Sequence, residues 1–152
     1  MKLRSLLPLL LASLAPAMSA QTPAASSPKP AVGSMVLDWT KLAVIPTKTG
    51  ERRSLFDGPT PTFVNAEGHV TTLNPGEAPH EPHRHPDEEL VIVKEGLIEV
   101  TINGHAQRAG PGSVFFFGSE DLHGMRNVGT TRSTYFVFRF ITPASAGPAK
   151  AP

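Results

Sequence analysis

Asn103-Gly104 lies between two short runs of alternating polar and apolar residues, 97–102 and 105–109. Both residues of the pair tolerate positive φ, which a two-residue hairpin loop requires, so the pair predicts an antiparallel β-hairpin. Period two places Ile98, Val100 and Ile102 on one face. The same period recurs in 134–141, where Phe136, Phe138 and Phe140 share a face. Further strands are predicted over 69–73, ended by Asn74-Pro75-Gly76, and over 113–117, opened by Gly110-Pro111-Gly112. Residues 89–93 are apolar on both faces after their leading acid, which predicts a strand covered on two sides. A partner subunit or a folded-over N-terminal arm would each supply that cover. No stretch has the pattern of an amphipathic helix. Closely spaced strands with Gly/Pro turns predict an all-β antiparallel sandwich or barrel.

At 152 residues the chain is about the size of one domain. The first twenty read as an export signal: Lys2 and Arg4, an apolar run to Leu14, then small residues through Ala20. The run is too short and proline-broken to anchor in a bilayer, which takes about twenty apolar residues. The predicted mature chain is therefore periplasmic or secreted, with no membrane segment. Residues 21–34 and 143–152, rich in Pro, Ala and Ser, read as a flexible linker and a disordered tail around a domain at 35–142. Removing residues 1–20 takes away two basic residues and no acid, so the formal charge falls from +1 to −1. Such a surface has no strong attraction for phosphate backbones and argues against nucleic acid as a partner. The absence of cysteine excludes disulfides and thiolate chemistry.

The chemistry concentrates in Pro82-His83-Arg84-His85-Pro86-Asp87-Glu88-Glu89. His83 and His85 are two apart, so on a strand they point to the same side, whereas on a helix they would diverge. Pro79, Pro82 and Pro86 oppose a helix here. Glu89 shares a face with Val91 and Val93, and Glu88 faces the other way. Neutral imidazoles with a carboxylate suit a divalent transition metal, with Fe, Mn, Ni, Cu and Zn all compatible. Turns at 103–104 and 110–112 reverse the chain twice and could return His123 to this group.

These residues resemble the motifs of the cupin superfamily. The first family motif runs glycine, five residues, His-x-His, three or four residues, Glu, six residues, glycine. Here Gly76, six residues, His83-x-His85, three residues, Glu89, six residues and Gly96 follow that order. The second runs glycine, five residues, Pro-x-Gly, two residues, His, three residues, Asn. Here it reads Gly112, five residues, Gly118-Ser119-Glu120, two residues, His123, three residues, Asn127. The departures, including Gly118 for proline and Glu120 for glycine, fall in turns and leave every ligand position filled. The resemblance implies a single-domain jelly-roll β-barrel, a divalent metal on His83, His85, Glu89 and His123, a small-molecule pocket at the barrel mouth, and pairing into a homodimer.

Other residues have plainer expectations. Glu81 has the parity of His83 and is the candidate proton shuttle, though a surface acid would look the same. His80 is a candidate support for a ligating imidazole. His69 and His105 carry no such support. Arg84 and Arg139 are expected outward and solvated, Asp87 and Glu88 at turn ends, and Asn127 bracing a turn. Phe136, Phe138 and Phe140, with Val91, Ile98 and Val100, are expected to line the barrel, as core in the deep layer and as an apolar pocket near the metal. Open metal positions beside apolar walls suggest a dioxygenase-like enzyme. A non-redox isomerase or hydrolase, and a non-catalytic binding module, are the alternatives, because a fold does not fix a reaction.

Overall fold

The computed structural model describes residues 28–147. The expected signal (1–20), the first part of the linker and the end of the tail lie outside the described residues. Among the described residues, nine strands follow a single 3-10 turn at Trp39–Lys41. They are β1 Ile45–Thr47, β2 Gly50–Gly58, β3 Asn65–Leu73, β4 Glu88–Glu95, β5 Ile98–Ile102, β6 His105–Ala109, β7 Val114–Phe117, β8 His123–Asn127 and β9 Ser133–Ile141. No α-helix occurs among the described residues.

The strands form two antiparallel sheets. One has six strands in the order β1-β2-β3-β9-β4-β7, and the other has three in the order β6-β5-β8. Every strand predicted from the sequence is present. The β5–β6 hairpin closes between Ile102 and His105, with φ of 47° at Asn103 and 85° at Gly104, as a two-residue loop with both centres left-handed demands. Strands β1, β2 and β8 were not expected. β2 carries Glu51, Arg52, Arg53 and Asp57, and β8 reads His-Gly-Met-Arg-Asn, so neither shows apolar alternation.

The core between the sheets contains Leu73, Val91, Val93, Ile98, Val100, Phe115, Phe117, Met125, Tyr135 and Val137. Here the expectation for β9 is corrected. Val137 pairs with Val91, and Tyr135 with Val93, so Tyr135, Val137 and Arg139 face inward. Phe136, Phe138 and Phe140 stand opposite Ile92, Leu90 and Glu88 and lie on the outer face, each half-buried. Two-sided cover of β4 is thus partly internal. Leu90 and Ile92 are half-buried, and Trp39 from the N-terminal arm packs on Phe136 with ring centroids 6.1 Å apart.

Residues 28–34, the near end of the expected linker, run beside β2: Lys29 Nζ is 2.6 Å from Asp57 Oδ1, and Val32 N donates to Pro59 O. The final residues of the two motifs, Gly96 and Asn127, both approach Ser133. Gly96 has φ of 86°, and a Cβ there would lie 2.1 Å from Ser133 Oγ, so only glycine fits. Asn127 is fully buried; its Nδ2 donates to Leu73 O and Thr131 O, and its Oδ1 accepts from Gly129 N and Ser133 Oγ. It braces the turn after β8, as expected.

Candidate metal centre

His83 precedes β4 in an irregular, proline-flanked segment, yet it is locked beside His123. Each backbone N–H of the pair donates to the other's carbonyl at 3.0 Å, making an isolated antiparallel bridge. Pro82 lies against Gly124, where a Cβ would come within 3.0 Å of its ring. The hairpin turn holds the approach to β8. Leu122 N donates to Asn103 Oδ1, and Asn103 Nδ2 donates to Asp121 Oδ1 at 2.7 Å. On the other side, Glu120 N donates to His85 O at 2.9 Å. These bonds bring His123 back to the His-x-His pair across nearly forty residues.

The three imidazoles form one cluster. Their ligand nitrogens lie within 4.8 Å of one another, and ring centroids are 4.8–5.2 Å apart. His85 Nδ1 donates to Asp87 O at 2.7 Å and His123 Nδ1 to Asp121 O at 2.9 Å. A carbonyl can only accept, so both rings carry their proton on Nδ1 and present a bare lone pair on Nε2. Both Nε2 atoms, and Nδ1 of His83, are buried without a hydrogen-bond partner. His123 is also stacked on Phe117, with centroids 4.1 Å apart and planes 12° from parallel.

Burial, then the neighbouring His80, His123 and His85 rings and the Arg139 cation, lower the His83 pKa to about 4. Its ring is therefore neutral at neutral pH, the state a ligand needs. Glu89, the second residue of β4, faces inward, is buried, and places Oε2 3.4 Å from His85 Nε2. The carboxylate oxygen and the imidazole nitrogen thus face each other at close range without a hydrogen bond between them. Such an arrangement fits a cation, and the donor set of nitrogen and oxygen fits a divalent transition metal.

The cluster opens into a cavity of about 380 Å³ whose lining includes His83 and Glu89. The expected apolar walls are absent. The lining is mainly polar and includes Thr47, Glu51, Arg52, Glu67, His69, Thr71, Tyr135 and Arg139, with Met125, Val137 and Pro79 as apolar members. The reason is the inverted parity of β9, which turns its phenylalanines away. Arg139, expected in solvent, instead turns inward and pairs with Asp87. Arg139 Nε donates to Asp87 Oδ2 at 2.6 Å and Nη2 to Oδ1 at 3.0 Å. Burial would raise the Asp87 pKa, but the Arg139 guanidinium outweighs it and holds the carboxyl below its usual range.

Glu67 sits among three bases: His69 Nδ1 at 3.3 Å, Arg52 Nη2 at 2.6 Å and Arg139 Nη1 at 3.5 Å. The His69 contact, resisted by burial and helped by Arg52, lowers its pKa to about 2. Tyr135 has a buried hydroxyl without a hydrogen-bond partner, and burial raises its pKa. Leaving such a group unmet costs about 1–3 kcal/mol, so it favours a polar atom in the cavity.

Glu81 is exposed and lines a separate shallow depression with Pro82, Glu99 and Arg126. The parity argument fails there because residues 78–82 are irregular, with bends at 79–81, and alternation holds only on a strand. His80 is exposed at the cavity edge, its ring edge-on to His83 with centroids 4.3 Å apart. His105 is exposed and Arg84 is exposed, as expected. Sequence reasoning missed Arg52, Glu67, His69 and Tyr135. The available signal was the run of polar residues at Glu67, His69 and Thr71 on the strand face that ends in the core residue Leu73.

Residues 69–139 match the Cupin domain family. The chain carries a cupin domain. Solved cupins resemble it in fold at low identity. An RmlC-like cupin from Shewanella frigidimarina has a TM-score of 0.60 at 16% identity, covering 73% of this chain and 94% of its own. A sugar phosphate isomerase of the cupin superfamily from Silicibacter pomeroyi has a TM-score of 0.57 at 20% identity, covering 72% and 77%. The polyketide cyclase RemF from Streptomyces resistomycificus has a TM-score of 0.59 at 18% identity, covering 73% and 82%. No curated protein is significantly similar to this cupin in sequence. At these identities the likeness concerns the fold, and the named activities belong to those proteins.

Proposed function

We propose that this cupin is an exported metal-dependent enzyme acting on a small polar organic molecule. His83, His85, His123 and Glu89 would hold a divalent transition metal. The observation that carries this is the convergence of orphaned ring nitrogens on His83, His85 and His123; Glu89 adds a carboxylate oxygen 3.4 Å from His85 Nε2. When bound, the ion supplies Lewis acidity at the coordination positions these four residues leave open. The chain contributes the rest. Arg139 fixes Asp87, whose carbonyl fixes the His85 tautomer. Tyr135, Thr71 and the Glu67 group orient hydroxyl and carbonyl oxygens in the cavity.

A polar lining favours proton transfer, as in an isomerase or lyase, over the dioxygen chemistry for which apolar walls would speak. Dioxygen activation is kept as a second reading because the same donor set leaves positions open for it. The basic, apolar and small segments of residues 1–20 support export to the periplasm or beyond.

The deciding experiment is elemental analysis of the protein purified without a metal-affinity tag, alongside His83→Ala and His123→Ala. About one divalent metal per chain is expected in the wild type and none in the variants. Chelation should lower the unfolding midpoint of the wild type alone. An equally stable, metal-free wild type would refute the reading. Oxygen uptake by the loaded protein on a substrate panel would move the reaction to the second reading.

A further inference from the structure

A fourth imidazole stands just outside the cluster. His80 is exposed at the cavity edge, and its ring meets His83 edge-on with centroids 4.3 Å apart. Its Nδ1 lies 3.0 Å from Glu81 O. A carbonyl only accepts, so the proton sits on Nδ1 and Nε2 keeps a bare lone pair. His80 does not brace His83 in the way expected of a support, because the buried Nδ1 of His83 has no hydrogen-bond partner. Nor is it one of the three rings whose ligand nitrogens lie within 4.8 Å of one another.

Access to the site gives this position a meaning. Of the four ligand candidates, His83 and Glu89 line the cavity. The other two are recessed, the His85 side chain being 10% exposed and His123 2%. An ion arriving from solution therefore meets His83 before either of them. His80 lines both the cavity and the shallow depression beside it, so it stands on the rim next to His83. The depression brings two carboxylates, Glu81 and Glu99, and one guanidinium, Arg126. Glu99 accepts from Arg108, and Arg126 donates to Gly76 O, which leaves Glu81 as the acid that draws a cation towards the rim. Residues 79–81 are bends outside any strand, so the His80 side chain can turn without breaking a ladder.

We propose that His80 is a transit ligand, which takes a divalent transition-metal ion from solution and passes it to His83. This rests on the metal-dependent reading and adds an order of assembly to it. Nε2 of His80 replaces one water on the hydrated ion. His83 then replaces a second water, and His80 is released as His85, His123 and Glu89 complete the set. A cation held on one imidazole is offered to the next at an effective concentration of about millimolar, far above that of the free ion. A side chain that touches the ion only in passage lowers the barrier equally in both directions and leaves the affinity unchanged. A permanent ligand raises the affinity instead.

The test is stopped-flow absorbance of Co²⁺ binding to the chelator-stripped full chain, with Co²⁺ release into excess EDTA followed separately. His80→Ala should take up Co²⁺ about 10-fold more slowly than wild type and release it about 10-fold more slowly, at the same equilibrium affinity. His80→Gln keeps a polar side chain without the imidazole nitrogen and should match His80→Ala. Both should keep the unfolding midpoint of stripped wild type, and if one does not, the other carries the test. Wild-type uptake rates in the variants overturn the assignment, as does a wild-type rate in His80→Gln alone, which would make the role steric. Weaker equilibrium binding or an altered Co²⁺ spectrum in the variants overturns transit in favour of a permanent ligand. A wild type that binds no Co²⁺ overturns the metal-dependent reading beneath, an outcome seen before any variant is compared.

Discussion

Arg139 grips Asp87 with two parallel contacts, Nε to Oδ2 at 2.6 Å and Nη2 to Oδ1 at 3.0 Å, across 52 residues of sequence. The Asp87 side chain is only 6% exposed. Removing the guanidinium strands a buried carboxylate and frees the loop that fixes His85. Arg139→Gln should therefore destabilise the chelated protein by about 3 kcal/mol in urea unfolding. It should also weaken metal binding about 10- to 100-fold, as loss of an outer support does elsewhere. Arg139→Lys keeps the charge but not the fork, and should recover only part of each loss. Unchanged metal affinity in Arg139→Gln would separate the pair from the site.

Glu67 gives the acid limb of stability a defined cause. Its pKa is about 2 in the folded protein against an ordinary 4.5. Between these values the unfolded chain binds more protons than the native one, so stability falls as the pH falls. The contribution is complete above pH 4.5 and is lost on acidification towards pH 2. Denaturant unfolding of chelated protein across that window should show a slope of up to one proton beyond what Glu67→Gln shows. Parallel slopes in the two proteins would remove Glu67 from the account.

The outer face of the six-stranded sheet explains what the sequence could and could not reveal. Alternation in residues 134–141 identified β9, yet both parities are rich in large side chains: Tyr135 and Val137 on one, three phenylalanines on the other. Local pattern does not choose between them; the pairings of Val137 with Val91 and Tyr135 with Val93 do. Arg139 looked solvated because its partner is remote in sequence. His69 looked unremarkable because its meaning depends on Glu67, Arg52 and a cavity that only the folded sheet creates. The clustering of His83, His85 and His123 was legible because two of them are local and the third occupies a motif position tied to turn residues.

That outer face also bears on assembly. β7 is a sheet edge, and its outward Val114 and Phe116 are 57% and 58% exposed. We propose that a second copy of the chain covers them, because an apolar edge strand is a ready site for pairing. Sedimentation should show a dimer for wild type and a monomer for Phe116→Glu, with the metal content unchanged. A monomeric wild type at micromolar concentration would end this proposal.

Glu120 occupies the motif position where cupins carry glycine, and its φ is 62°. A side chain in the left-handed region costs about 1–2 kcal/mol. Its backbone is what the site uses: the N–H donates to His85 O, and the carbonyl accepts from Arg84. The carboxylate itself has no hydrogen-bonding or ion-pair partner among the described residues. Glu120→Gly keeps both backbone bonds and relieves the strain, against about 0.5–1 kcal/mol of added chain entropy when unfolded. The variant should be about 0.5 kcal/mol more stable by denaturant midpoint, with metal binding intact. A clear loss of stability would mean that the Glu120 carboxylate makes a contact that outweighs its strain, and the turn would then have to be explained by that contact.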